Sequence, residues 1–176
     1  LVRAFDPERL TRHVYTSSSC GVCGKGALAA VAVTAPPVNS SLRVEASLLA
    51  SLPERLRLAQ PTFELTGGLH GAGLFDADGN TLCVREDVGR HNAVDKVVGW
   101  AFVNRRLPLR DAMLCVSGRL SFELVQKAAC SGCPILVGVG APSSLAIELA
   151  GAQGVTLSGF ARGGRANVYT GSERVL

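Results

Sequence analysis

The sequence predicts an α/β protein, a three-layer α/β/α sandwich built on a mixed, largely parallel sheet. Three observations carry this. From residue 112 onward short apolar runs alternate with helix-length segments, giving strands at 112–116, 134–139 and 154–158 and helices at 121–130 and 143–152. Strands that are apolar on both faces, linked by helices, form parallel sheets covered on both sides. Two further runs, 69–75 and 81–85, flank the turn Ala77-Asp78-Gly79-Asn80 and read as an antiparallel hairpin. Finally, apolar residues make up 47% of the chain and glycines number 20, which suits a compact core with many tight turns. The 176 residues fit one domain, taken as 1–176.

The remaining elements follow in order. Phe5 to His13 reads as a short helix with Asp6 as N-cap and Pro7 at its first position. Thr16-Ser17-Ser18-Ser19-Cys20-Gly21-Val22-Cys23-Gly24-Lys25-Gly26 reads as a helix entrance, with Ser17 to Ser19 available as caps. Ala35-Pro36-Pro37-Val38-Asn39-Ser40 breaks the chain. Residues 41–50 and 53–59 read as two helices separated by Pro53. Phe63 to Gly73 has no clear period, but the small residues of Thr66-Gly67-Gly68-Leu69-His70-Gly71-Ala72-Gly73 suit close approach to a ligand or to backbone. A polar corner at 86–92 leads into a helix at 93–105, and 167–170 is a last short strand.

Composition excludes several classes. The net charge of +4 comes from 15 Arg and 3 Lys against 14 acidic residues. An arginine excess suits bidentate phosphate recognition, but so small and dispersed a charge does not indicate a nucleic-acid partner. No apolar run reaches the roughly 18 residues needed to span a bilayer, so no membrane partner is expected. The chain begins at Leu1, and an N-terminal region is expected to be missing.

Six cysteines occur. Cys83 and Cys115 lie in apolar strand-like runs and read as core residues. Cys20/Cys23 and Cys130/Cys133 form two C-x-x-C pairs. At a helix entrance, free N–H groups and the helix dipole stabilise a thiolate, and Lys25 adds positive charge, so Cys20 and Cys23 read as a reactive pair. Four thiolates in two pairs are also the pattern of a zinc site, which keeps a zinc-stabilised, non-catalytic carrier or chaperone open as an alternative.

Two other stretches could bind or react. Gly159-Phe160-Ala161-Arg162-Gly163-Gly164-Arg165 follows a strand, and its amides and guanidiniums can converge on an anion, although a plain glycine-rich turn has the same composition. Glu86-Asp87-Val88-Gly89-Arg90-His91-Asn92-Ala93-Val94-Asp95-Lys96 concentrates hydrogen-bonding groups at a strand-to-helix corner; an ion-paired helix cap would also explain it. A zinc deaminase would need Glu two residues after His70, and Ala72 stands there.

These stretches, together with Ser117-Gly118-Arg119 and Phe122-Glu123-Leu124-Val125-Gln126-Lys127, resemble in order the motifs of the formate dehydrogenase accessory sulfurtransferase family. The resemblance implies a cytidine-deaminase-like fold and a cytoplasmic sulfurtransferase that is expected to form a homodimer. It implies that sulfur is taken as a persulfide from a cysteine desulfurase. That sulfur would be delivered to the molybdenum bis(molybdopterin guanine dinucleotide) cofactor, a bound acceptor, for formate dehydrogenase. Cys20 then matches the persulfide carrier and Cys23 its assistant. Phe160, Ala161, Arg162, Gly163, Gly164 and Arg165 match the cofactor-binding segment, and no catalytic metal is implied. Cys130/Cys133 lies outside the family pattern.

Overall fold

The computed structural model describes residues 35–176, which form one compact unit. The helix expected at 5–13 and the Cys20/Cys23 motif lie outside the described residues. The elements are α1 (Ala46–Leu58), α2 (Pro61–Thr66), β1 (His70–Asp76), β2 (Thr81–Asp87), α3 (Arg90–Val103), β3 (Ala112–Val116), α4 (Phe122–Cys130), β4 (Ile135–Gly138), α5 (Ser144–Gln153), β5 (Thr156–Arg162), β6 (Arg165–Thr170) and a final 3₁₀ turn, Ser172–Arg174. The six strands form one sheet in the order β2-β1-β3-β4-β5-β6. Its centre, β3-β4-β5, is parallel, and antiparallel strands flank it on both sides.

Alternation along the strands divides the core. Leu114 and Val116 pack with Leu74, Leu136 and Leu157 beneath α3, α4 and α5. Met113 and Cys115 point the other way and pack with Phe75, Ile135 and Val137 beneath α1. Three helices therefore cover one face and α1 covers the other, which is the α/β/α sandwich expected.

The sequence reading needs two corrections at the edges. Pro53 does not separate two helices: α1 runs through it. A proline inside a helix costs about 3 kcal/mol, but Leu49, Leu52 and Leu56, each at most 1% exposed, anchor both halves of α1 to the sheet. The strand expected at 154–158 also runs on to Arg162, and its partner begins at Arg165, so Gly159–Arg165 is a hairpin and not a loop. Its turn is Gly163-Gly164, with φ of 57° and 73°, the left-handed pair that a two-residue hairpin demands.

The hairpin between β1 and β2 forms where expected, because Asp76 organises it. The Asp76 carboxylate accepts hydrogen bonds from the backbone N–H of Asp78 (3.0 Å) and Asn80 (2.8 Å) and from the Asn80 side chain (3.0 Å). Gly79 takes φ 79° in the turn, and its carbonyl accepts a 2.6 Å bond from Arg55 on α1.

Truncating the anchor of α1 tests its role. Leu52→Ala should lower unfolding stability by about 2–5 kcal/mol, whereas Leu58→Ala, at an 80% exposed position, should shift it by less than about 0.5 kcal/mol. Urea denaturation followed by circular dichroism measures both.

Candidate functional site

Because β1 runs against β3, its first residue, His70, lies at the carboxyl end of β3. The carboxyl ends of β3, β4 and β5 and the amino end of β1 therefore meet along one rim, the place where open α/β sheets bind ligands. A cavity of about 810 Å³ opens there. One wall comes from Pro53, Glu54, Arg57 and Gln60 in and after α1 with Phe63 of α2, and the far wall from Ala161, Arg162, Gly163 and Gly164. Ala50, Gly67 to His70, Ser117 and Val139 complete the lining.

The α2 wall cannot hold itself. It is a six-residue helix with no buried residue and no side-chain cap of its own, and isolated helices that short are unstable. Glu86, from the polar corner, holds it. Its carboxylate accepts the backbone N–H of Thr62 (3.0 Å) and Phe63 (2.6 Å). Burial pushes the Glu86 pKa up, but the Phe63 and Thr62 amides outweigh that, and the carboxyl stays below its ordinary value. Phe63 in turn supports Arg57, whose guanidinium lies 4.6 Å above the ring centroid. At the other end Gly67 closes α2 at φ 64°.

The same corner ties β2 to α3. Lys96 Nζ lies 2.6 Å from the Asp87 carboxylate and donates 2.9 Å to the Glu86 carbonyl. Asp87 also accepts from the Gly89 N–H at 2.9 Å, and the hydrogen bonds from Lys96 and Gly89 bring its pKa down to about 2. The corner is thus the ion-paired helix start, and through Glu86 it also shapes the cavity.

The segment 160–165, expected from sequence to bind the cofactor, is split by its hairpin. Ala161, Arg162, Gly163 and Gly164 line the cavity, whereas Phe160 and Arg165 are exposed outside that lining. Phe160 has φ 52° and is 52% exposed, and its N–H donates 3.2 Å to the Gly140 carbonyl. A non-glycine residue held in the left-handed region stores about 1–3 kcal/mol of strain, and such residues cluster at ligand clamps.

Other candidates fall elsewhere. His91 Nε2 lies 3.2 Å from Ser121 Oγ and 3.7 Å from Glu123, away from the cavity lining. Burial and the Arg90 charge lower its pKa against the opposing pull of Glu123. Arg119 is exposed and does not line the cavity. Ala72, where a deaminase would carry Glu, is fully buried.

The cysteines separate by burial. Cys83 and Cys115 are buried, as expected. Cys133 is fully buried, donates to the carbonyls of Ala112 (3.3 Å) and Ile135 (3.4 Å), and burial pushes its thiol up to about 12. It is a core thiol, poorly suited to the zinc site considered from sequence, and Cys130 is exposed. None of these four lines the cavity, and among the described residues no group of three or more His, Cys, Asp or Glu could hold a metal ion. No described helix is long and apolar enough to cross a membrane.

Sequence reasoning missed Arg57 at the end of α1, Gln60 between the helices and Phe63 on α2, all of which line the cavity. The unassigned stretch Phe63 to Gly73 was the one signal pointing there.

The fold is an α/β/α sandwich on a mixed sheet with a cavity along the rim where its parallel strands end. At the level of fold alone, the structure matches a mutant of NE0047 solved in complex with 8-azaguanine, with a TM-score of 0.53, 17% identity, and coverage of 70% of this chain and 82% of that one. The chain belongs to the FdhD/NarQ family, which matches residues 2–176. It is 57% identical over 173 residues to the sulfur carrier protein FdhD of Streptomyces coelicolor, covering 94% of this chain and 60% of that protein. It is 47% identical over 165 residues to the sulfur carrier protein FdhD of Sulfolobus acidocaldarius, covering 94% and 64%. The crystal structure of a putative formate dehydrogenase accessory protein from Desulfotalea psychrophila matches with a TM-score of 0.73 and 34% identity, covering 81% of this chain and 60% of that one. The chain thus spans about 60% of the length of these relatives.

The depressed Asp87 pKa has a directional consequence. A carboxyl with a folded-state pKa near 2 and an ordinary value of 3.8 contributes stability that is present above about pH 4 and lost as pH falls toward 2. Asp87→Asn should therefore be less stable than the parent above pH 4, and the two should converge near pH 2. Denaturant titrations across that range read the effect.

Proposed function

We propose that the chain is a sulfur carrier that transfers sulfur as a persulfide from a cysteine desulfurase to the molybdenum bis(molybdopterin guanine dinucleotide) cofactor, in the cytoplasm, for formate dehydrogenase. Membership of the family supports it, as do curated relatives named sulfur carrier proteins. The observation that carries the acceptor half is the cavity itself. The twin-glycine tip and Arg162 on one wall, and Arg57 against Phe63 on the other, offer amides, guanidiniums and a flat surface to a ligand with phosphates and a planar base.

Cys20 is assigned the transfer by family resemblance. Its thiolate attacks the outer sulfur of the donor persulfide. One sulfur–sulfur bond forms on Cys20 as the donor's breaks, and the desulfurase cysteine leaves as thiolate, with no net oxidation. Cys23 assists by attacking Cys20 Sγ: a Cys20–Cys23 disulfide forms as the persulfide bond breaks, and the outer sulfur leaves as hydrosulfide for the acceptor. The cofactor is the cargo here: it receives the sulfur and is then inserted elsewhere. Arg162 and the glycine amides hold its diphosphate, while the α2 wall faces its base.

Incubating the chain with a cysteine desulfurase and cysteine, followed by mass spectrometry, tests the carrier role. An added sulfur on Cys20, absent in Cys20→Ala, is expected; no added sulfur on Cys20 or Cys23 overturns it. Calorimetry tests the acceptor site: Arg162→Ala should weaken binding of guanosine diphosphate about tenfold or more, the loss typical of one charge-assisted contact. Unchanged affinity would remove Arg162 from the site.

A further inference from the structure

The wall made by α2 is the least anchored part of the cavity. From Pro61 to Gly68 every residue except Phe63 is exposed, and Leu65 is 86% exposed. The ion pair between Arg57 and Glu64, at 3.9 Å, joins two exposed side chains and adds little. What fastens α2 is the Glu86 carboxylate. It accepts the Thr62 and Phe63 amides, and the Thr62 hydroxyl and the Gln60 carboxamide face it as well.

The two sides of this fastening differ in kind. Glu86 belongs to the sheet: it is paired with Gly71 of β1, and its carbonyl accepts 2.9 Å from Lys96 of α3. α2 hangs between two connections. At its start Gln60 is 2% exposed and seated against Gly71, where a Cβ would fall 2.4 Å from Gln60 Cδ, so this end is fixed. At its end Gly67 and Gly68 lead to β1. Gly67 has to be glycine, at φ 64°. Gly68 does not. It lies outside the left-handed region, and a Cβ there would meet only the Thr66 carbonyl at 3.8 Å, an ordinary contact. A glycine that the observed conformation does not require is accounted for by a second conformation that uses its backbone freedom.

We propose that α2 is a lid on the rim cavity, anchored at Gln60, hinged at Gly67-Gly68 and latched by the Glu86 carboxylate. Released from Glu86, α2 swings out on the glycine pair and takes Phe63 out of the cavity wall, while the sheet and its packed helices stay folded. The freed amides and carboxylate meet water at the rim, so opening costs only the net strength of those bonds and the order of one short helix. The lid follows from how the wall is built and does not depend on which ligand enters. It adds to the carrier reading a step at which cargo is admitted and released.

Hydrogen–deuterium exchange on the full chain, read by mass spectrometry, tests the lid in the parent, Glu86→Ala and Gly68→Ala. In the parent, α2 should exchange faster than β3 and β4, by local opening. Glu86→Ala should speed exchange in α2 by about tenfold or more and leave β3 and β4 unchanged. Gly68→Ala, which fits the closed form and stiffens the hinge, should slow exchange in α2. Stopped-flow release of guanosine diphosphate carrying a fluorescent group on its ribose should follow the same order, fastest from Glu86→Ala and slowest from Gly68→Ala. Exchange in α2 that only keeps pace with β3 and β4 in the parent overturns the lid, as does exchange that Glu86→Ala leaves unchanged. So does Glu86→Ala speeding β3 and β4 equally, the mark of a merely structural contact, or Gly68→Ala exchanging as fast as the parent. Nucleotide release that ignores both substitutions overturns the gating role. If the parent does not bind the nucleotide, the nucleotide reading of the cavity fails, and the exchange results decide the lid alone.

Discussion

The direction of β1 is the constraint on which the site depends. A strand parallel to β3 in that position would carry His70 and the glycines before it to the far end of the sheet. Running antiparallel, β1 brings its start beside Ser117 at the end of β3. The Gly71 N–H donates 2.9 Å to Ser117 Oγ, and the Ser117 N–H returns 3.0 Å to the Gly71 carbonyl. The hairpin to β2 then carries Glu86 back to the same rim, opposite Gly71 in the ladder. Once there, Glu86 can reach across to Thr62 and Phe63 and fasten the α2 wall. At the other side of the parallel strands, the β5–β6 hairpin faces it with Arg162 and the glycine tip. Segments far apart in sequence become two walls of one cavity because the sheet reverses on each side of its parallel centre.

Rigidity and strain are distributed accordingly. Behind the rim, β3 and β4 are buried along their whole length and packed on both faces. At the rim, the chain relies on single devices: one carboxylate holding a six-residue helix, two glycines turning a hairpin, and Phe160 held at positive φ. These arrangements have little intrinsic stability and depend on the core behind them. Such a rim can present backbone amides and planar side chains at fixed positions without burying them from a ligand.

What could be read from sequence follows the range of the forces involved. The central strands, α3 to α5 and the Asp76–Asn80 turn depend on local pattern and short-range hydrogen bonds, and they are legible. Cys83 and Cys115 are legible as core residues for the same reason. Pro53 misleads because its local cost is offset by sheet contacts from Leu49, Leu52 and Leu56, which no window around Pro53 contains. The glycines at 159, 163 and 164 suggest a loop, yet β6 pairs with the strand through Gly159 and Arg162. The α2 wall is least legible of all, since its cap comes from Glu86, 23 residues beyond Phe63. Four of the six residues in the expected binding segment line the cavity; Phe160 lies outside it at an irregularity of the β5–β6 ladder, where its φ is 52°, a departure from extended strand that no local pattern announces.

The account stands on the rim cavity being where the guanine nucleotide portion of the cargo is held. A crystal structure of the full chain with guanosine diphosphate tests this most directly. The account predicts the diphosphate against Gly163, Gly164 and Arg162 and the base against the wall carrying Gln60 and Phe63. A well-ordered nucleotide elsewhere, with this cavity filled by solvent, would contradict it.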